Sequence, residues 1–171
     1  MRKIIMAATA PVIILLLACG SSQSESQTGE KSPISWVKFD DGLNQAAQVD
    51  KPVLAYFWRD GCPWCTKMEK GTFSDKNIAD YVTDNFIAVK IKSTANEKFN
   101  TPFGDMTTPQ LVQSLQLRGV PATYFFDAKG QLIFNVPGYV PDDIYKSILQ
   151  YIAEKHYESK SFEEFQNSAN E

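Results

Sequence analysis

Two cysteines, Cys62 and Cys65, lie where an apolar segment gives way to a helical one. Residues 52–58 are apolar and predict a buried strand. Residues 63–70 begin with proline and predict a helix with that proline in its first turn. A thiolate at a helix N-terminus is stabilised by unpaired N–H groups and by the helix dipole, which makes it a nucleophile near neutral pH. The pair therefore predicts a thiol–disulfide exchange site, with Cys62 as the nucleophile and Cys65 as the resolving thiol.

The N-terminal residues have the pattern of an export signal. Residues 2–3 are basic, and residues 4–18 are apolar apart from Thr9 and Pro11, which is too short a run for a typical membrane-spanning helix. The sequence Leu-Leu-Ala-Cys at 16–19 looks like a bacterial lipobox, whose cysteine becomes the lipidated first residue of the mature protein. Cleavage at another small residue is the alternative. We expect residues 1–18 to be a lipoprotein signal peptide and Cys19 to be lipidated.

The residues after Cys19 predict a tether and an oxidising compartment. Residues 21–32 contain Ser, Gln and Glu and no apolar side chain, so we expect residues 19–34 to be a flexible tether. The domain would then be lipid-anchored to a bacterial membrane and would face the periplasm, where disulfides are permitted. A bond between Cys62 and Cys65 closes a very short loop and constrains little unfolded-state entropy, which argues against a purely structural role.

Composition and charge exclude several classes of function. The chain has 171 residues, of which 43% are hydrophobic, so it can form one core with appendages. Its net charge of −3 gives no basic excess, and we expect no nucleic-acid partner. Zinc needs about four ligands, and the one histidine is His156, so we expect no metal site. Covalent haem needs histidine after the second cysteine, where Thr66 stands. No heptad pattern is present, and we expect a monomer.

The rest of the chain alternates strands and helices. Predicted strands cover 52–58, 86–91, 122–126 and 131–136, and predicted helices cover 43–49, 63–71, 76–83, 109–117 and 142–154. A short edge strand is possible at 36–39, and residues 93–106 are polar without a clear period, which suggests a surface insertion. Residues 158–171 predict a polar tail with Phe162 and Phe165 as docking points. This order predicts an α/β fold whose mixed central sheet has four to five strands and helices on both faces.

Three segments resemble the thioredoxin superfamily. They are the apolar run at 52–58, the Cys-Pro-Trp-Cys motif at 62–65, and the sequence Leu-Arg-Gly-Val-Pro-Ala-Thr-Tyr-Phe-Phe-Asp at 117–127. The resemblance covers about 36–157 and implies a thioredoxin-like domain at 35–157.

The resemblance also assigns roles to residues outside the dithiol. It implies a cis peptide bond before Pro121, which would face the two cysteines without offering an N–H donor. It implies that the Val120 backbone pairs with an extended substrate and that Gly138 lies beside the substrate groove. Trp64, in the first turn of the predicted helix, is a flat aromatic on which a bound peptide can rest. Tyr139 can belong to either groove or core, and Lys67 is expected to be solvated.

A narrower resemblance is to exported thioredoxin-related proteins of the SoxW kind. It rests on residues 68–75, on the insertion after 91, on residues 136–141 and on the tail at 157–165. It implies a thiol–disulfide oxidoreductase that needs no organic cofactor, reduces protein disulfides and is regenerated by a membrane thiol electron donor of the DsbD or CcdA kind. A disulfide oxidase or isomerase, or a non-catalytic binding and assembly factor, are the alternatives.

Two positions depart from the thioredoxin pattern. Tyr56 stands where thioredoxin has a buried aspartate that helps move the proton of the buried thiol, and Gly61 stands in place of a tryptophan. Asp60 is nearby but is expected to face solvent, which makes it a poor base for a buried thiol. The resemblance therefore leaves the proton route at Cys65 open.

Overall fold

The computed structural model describes residues 33–168, so the predicted signal peptide, Cys19 and most of the predicted tether lie outside the described residues. The strands are β1 Val53–Trp58, β2 Ile87–Lys92, β3 Lys98–Thr101, β4 Gly104–Thr107, β5 Ala122–Phe126 and β6 Leu132–Pro137. The α-helices are α1 Phe39–Val49, α2 Pro63–Lys70, α3 Lys76–Asn85, α4 Thr108–Ser114, α5 Asp142–Ala153 and α6 Phe162–Ser168. None of the helices within 33–168 is both long and apolar enough to cross a membrane.

A four-stranded mixed sheet forms the centre of the domain. Its strand order is β2–β1–β5–β6, with β1 parallel to β2 and antiparallel to β5, and with β5 antiparallel to β6. This arrangement confirms the predicted α/β class and the mixed sheet. Because β1 is an inner strand, it is covered on both faces, which explains why its sequence is apolar without alternation.

The side chains of β1 divide between two cores, one on each face of the sheet. Val53 and Phe57 belong to the core that α1 and α4 cover. Leu54 and Tyr56 belong to the core that α3 and α5 cover. The predicted placement of helices on both faces is therefore confirmed, and α2 leaves the sheet at the end of β1, where the two cysteines lie.

Helix α1 begins four residues earlier than predicted. Asp40 and Asp41 therefore lie in its first turn, where their negative charge interacts favourably with the positive end of the helix dipole. Phe39 is buried against Phe99 and Phe126, and this packing extends the helix toward the N-terminus. The possible edge strand at 36–39 reduces to one parallel bridge between Val37 and Val89.

The segment predicted as a surface insertion is more ordered than its sequence suggested. It contains an antiparallel hairpin of β3 and β4, in which Phe99 is only 2% exposed. The Phe99 ring meets that of Phe39 edge-on, with centroids 5.7 Å apart. Strands of four residues that contribute so few buried side chains leave no recognisable period in a sequence, which is why this hairpin was missed.

The C-terminal tail docks on α5 and β6. Phe162 and Phe165 both contact the ring of Tyr151, at centroid distances of 5.4 and 5.6 Å. The Tyr151 hydroxyl donates to the Lys160 carbonyl at 2.7 Å. The two phenylalanines are thus docking points as predicted, and the segment that carries them forms α6 rather than an irregular tail.

Candidate active site

The turn between β1 and α2 places the cysteine pair at the start of a helix. Gly61 has φ +65°, a left-handed conformation that glycine adopts without steric cost. Cys62 is the N-cap of α2 and Pro63 follows at the first helical position. The Cys62 sulfur accepts the backbone N–H of Cys65 at 3.1 Å, so one of the unpaired helix donors is directed at this sulfur.

The two cysteines form a disulfide, with their Cα atoms 5.2 Å apart. Cys65 is 2% exposed and Cys62 is 6% exposed, so Cys65 is the more deeply buried of the two. Met68, one turn after Cys65 on α2, is fully buried. A reagent arriving from solvent therefore has better access to the Cys62 sulfur.

The loop before β5 supplies the wall that faces the disulfide. The Val120–Pro121 peptide bond is cis, as predicted, and the Val120 carbonyl oxygen lies 3.6 Å from the Cys62 sulfur. The backbone N–H of Gly138 donates to the Pro121 carbonyl at 2.8 Å. The structure thus brings Val120, Pro121 and Gly138 together beside Cys62, although they are distant from it in sequence.

A groove of about 560 Å³ continues from this wall toward β6. Leu117, Val120 and Leu132 contribute apolar surface to it, and Arg118 and Gly138 line it as well. Leu132 is 50% exposed although it is apolar. An extended polypeptide segment that reaches Cys62 can lie along this groove.

Trp64, Lys67 and Tyr139 form a cluster near Cys62, at the start of α2 and after β6. The Trp64 and Tyr139 rings are 5.4 Å apart, and Trp64 is 55% exposed. The Lys67 ammonium lies 5.0 Å from the Trp64 centroid and 4.5 Å from the Tyr139 centroid, within cation–π range of both. Lys67 was expected to be merely solvated, and its three-residue spacing from Trp64 on α2 is the signal that could have indicated this contact.

Tyr56 connects Cys65 to a carboxylate. Its hydroxyl donates to the Cys65 carbonyl at 3.3 Å and lies 3.5 Å from Glu69 Oε1. Burial, reinforced by the negative charge of Glu69, raises the pKa of Tyr56 far above its ordinary value of 10.0. Tyr56 therefore stays protonated at physiological pH and cannot itself accept a proton from Cys65.

Glu69 is a carboxylate near the cysteine pair that the sequence interpretation did not single out. Its Oε2 atom is 3.0 Å from Lys90 Nζ, and its side chain is 34% exposed. Glu69 follows Cys65 by four residues on α2, so the two residues share a face of the helix. The four-residue spacing between Cys65 and Glu69 is the sequence signal that could have identified Glu69. Asp60 is 71% exposed, as expected, and pairs with Lys92.

His156 lies away from the cysteine pair, in a short 3-10 turn rather than in the C-terminal helix. Its ring stacks on Phe165 at 4.7 Å, and its Nε2 atom is 3.1 Å from Glu154. Within residues 33–168, no group of three or more His, Cys, Asp or Glu side chains is arranged to hold a metal ion.

Comparison with known proteins gives a consistent result. The family model described as a thioredoxin-like domain matches residues 39–153. The thiol:disulfide interchange protein DsbD of Salmonella typhi is 38% identical over 93 residues, which are 53% of this chain and 15% of that protein. DsbD of Escherichia coli strain K12 is 32% identical over 108 residues, which are 62% of this chain and 18% of that protein. The chain thus matches less than a fifth of the length of these relatives.

A solved structure supports the same fold. A thioredoxin-fold protein from Helicobacter pylori superposes with a TM-score of 0.63 at 24% identity, covering 70% of this chain and 80% of that one.

Proposed function

The chain belongs to the thioredoxin-like family, and from this premise we propose that it is a thiol–disulfide oxidoreductase that reduces disulfides of protein clients. The observation that carries the proposal is the cysteine pair itself. Cys62 caps α2, is bonded to Cys65, and faces the carbonyl of Val120 across 3.6 Å. The similarity of half of the chain to DsbD, a thiol:disulfide interchange protein, supports the same chemistry.

The reaction begins from the reduced pair. The Cys62 thiolate attacks one sulfur of a client disulfide, a bond forms between the two proteins, and the other client sulfur leaves as a thiolate. Cys65, once deprotonated, attacks the Cys62 sulfur and displaces the second client thiolate. Two electrons pass from the dithiol to the client, and the Cys62–Cys65 disulfide described here is the product.

Backbone groups beside Cys62 position the client. The Val120 carbonyl and N–H can pair with an extended client segment, and Pro121 offers no N–H that would compete for the thiolate. The groove toward Leu132 can accommodate the chain next to the client cysteine, and the exposed Trp64, in the first turn of α2, offers a further apolar surface for it.

We assign Glu69 as the group that accepts the proton of the Cys65 thiol in this mechanism. The Tyr56 hydroxyl contacts both the Cys65 backbone carbonyl and the Glu69 carboxylate, and Glu69 shares a face of α2 with Cys65, so the carboxylate lies near this residue. Lys90 Nζ lies 3.0 Å from Glu69 Oε2 and holds the carboxylate in position. In this proposal Glu69, positioned by Tyr56 and Lys90, takes the part that a buried aspartate plays in thioredoxin.

Each catalytic cycle leaves the pair oxidised, so a reductant must restore it. We assign this step to a membrane dithiol donor of the DsbD or CcdA kind, whose own dithiol becomes oxidised in the exchange. The sequence similarity of this domain to DsbD supports a partner of that class, because thiol–disulfide exchange takes place between related thiol sites.

Insulin reduction by the full chain tests the proposal. We expect the reduced protein to accelerate precipitation of insulin by dithiothreitol at least about tenfold over dithiothreitol alone. The same protein with both thiols alkylated by iodoacetamide should give no acceleration, and equal rates for the two preparations would refute the enzyme proposal in favour of a binding factor. A reduction potential near about −270 mV supports a reductase, whereas one near about −120 mV would reverse the direction to an oxidase.

We also propose that Cys19 carries a lipid that anchors the domain at the periplasmic side of a bacterial membrane. The lipobox-like sequence at 16–19 and the polar segment at 21–32 support this proposal. Cys19→Ser should move the protein from the membrane fraction to the soluble fraction, because an unlipidated chain keeps no acyl anchor. Unchanged sedimentation with membranes, with Cys19→Ala giving the same result, would contradict lipidation.

A further inference from the structure

Three cationic residues lie on the three segments next to the cysteine pair, and none of them pairs with a carboxylate within residues 33–168. Arg59 precedes Cys62 in the turn after β1, Lys67 lies on α2, and Arg118 lies on the loop that leads to Val120. All three are exposed, and none of them takes part in an ion pair within residues 33–168. We call Arg59, Lys67 and Arg118 the cationic rim.

Carboxylates near the rim are already neutralised by other lysines. Asp60 pairs with Lys92, and Glu69 pairs with Lys90. The rim is therefore locally positive although the whole chain has a net charge of −3. A local field of opposite sign to the net charge attracts anionic groups to this end of the domain and raises their rate of association.

Lys67 is held in place before any client arrives. Its ammonium is 4.5 Å from the Tyr139 centroid and 5.0 Å from the Trp64 centroid, which restricts a side chain that is otherwise mobile. When a carboxylate binds an ammonium group that is already ordered, less side-chain entropy is lost than when binding must first order that group. Cation–π contact with the two rings leaves its charge unneutralised, so Lys67 remains available to an anion.

We propose that the preferred clients are polypeptides whose reactive disulfide lies beside aspartate or glutamate residues, an inference that rests on the proposed reductase function. The rim residues belong to the three segments next to Cys62: the turn before it, the helix that it caps and the loop that carries Val120. Side chains that flank a client cysteine bonded to Cys62 come near these segments. An acidic flank is attracted and a basic flank is repelled.

A polypeptide fits these observations better than an anionic lipid surface. Arg118 shares its groove with Val120, whose carbonyl oxygen lies 3.6 Å from the Cys62 sulfur. A membrane that covered the rim would also cover the sulfur that must meet the client. The rim is therefore assigned to the client segment itself.

Two matched cystine peptides test the proposal with the full chain in detergent. They have equal length and one intramolecular disulfide, with two glutamates flanking the cysteines in one peptide and two lysines in the other. At low salt we expect kcat/KM for the acidic peptide to exceed that for the basic one at least about tenfold. The preference should shrink toward one as salt approaches about 1 M, where charges are screened beyond roughly 3 Å.

Variants that each remove one positive charge test whether the preference for the acidic peptide depends on the cationic rim. Arg59→Gln, Lys67→Gln and Arg118→Gln should each lower the acidic-to-basic ratio by about threefold, as expected for charges roughly 6 Å apart near water. Lys129→Gln, at the far end of β5, makes the same charge change and should leave the ratio unaltered. The rates with a neutral peptide check that each variant still reduces disulfides.

The possible outcomes separate the two proposals. Equal rates on both peptides by an active wild-type protein would overturn the acidic-client preference and leave the reductase intact. Absence of activity on every peptide would instead defeat the reductase proposal. Phosphatidylglycerol vesicles that bind the wild type but not the triple rim variant, together with equal peptide rates, would reassign the rim to a lipid surface and refute the client proposal.

Discussion

Replacing Cys62 with serine is expected to lower the rate of insulin reduction by at least about 10³-fold, because a serine hydroxyl is not ionised at neutral pH and cannot displace a sulfur. Cys62 is the cysteine with the greater exposure and the one that caps α2. Cys65 cannot take its place, since it is only 2% exposed. The measurement is the initial rate of insulin precipitation at equal protein concentrations.

Cys65→Ser is the matched control for this prediction. It removes the same disulfide and one sulfur, so it changes the stability of the fold in a comparable way. It leaves Cys62 free to attack, and we expect a covalent complex with the client to accumulate that is absent from Cys62→Ser and is released by dithiothreitol. Insulin reduction by Cys62→Ser at the wild-type rate, or a stable client complex formed through Cys65, would exclude Cys62 as the nucleophile.

Glu69→Gln is expected to slow the resolving step by about 10²-fold near pH 7, the scale of a positioned proton transfer. The amide keeps the shape of the side chain and its contact with Tyr56 but cannot take the proton of Cys65. The loss should diminish as pH rises, because hydroxide then removes this proton without help. The measurement is the rate at which a client leaves Cys62 in single turnover, followed between pH 6 and 10.

Two variants separate this role from a structural one. Glu97→Gln makes the same change on an exposed residue before β3 and should leave the pH profile unaltered. Tyr56→Phe removes the bridging hydroxyl but keeps the buried ring, and a smaller loss with the same pH dependence is expected. A Glu69→Gln protein that is merely slower at every pH by one factor would mean that Glu69 does not accept the proton.

Much of the fold followed from the sequence because its inner strands are nearly continuous apolar segments. Residues 52–58 and 122–126 predicted β1 and β5 within a residue, since both are buried on two faces of the sheet. The hairpin of β3 and β4 did not follow, because Phe99 is one buried aromatic in a polar segment. Its burial depends on Phe39, which is distant in sequence and unpredictable from a local pattern.

The residues of the candidate site also divide into those that the sequence predicted and those that it did not. The placement of Cys62 and Cys65 at a helix start followed from local spacing, and Pro121 followed from resemblance. Glu69 did not, because its contact with Tyr56 requires β1 and α2 to lie at a particular distance. The sequence position of Tyr56 showed that the buried aspartate of thioredoxin is absent. Only the packed structure shows that the Tyr56 hydroxyl contacts the Cys65 carbonyl.

The bridge at Val37 has a consequence for behaviour at high concentration. β2 is an outer strand of the sheet, and its free N–H and C=O groups could pair with a strand of another molecule. The Val37 N–H donates to the Ala88 carbonyl at 2.9 Å, and the Lys90 N–H donates to the Val37 carbonyl at 3.3 Å. The segment that enters the domain thus occupies part of this edge and protects it from edge-to-edge aggregation.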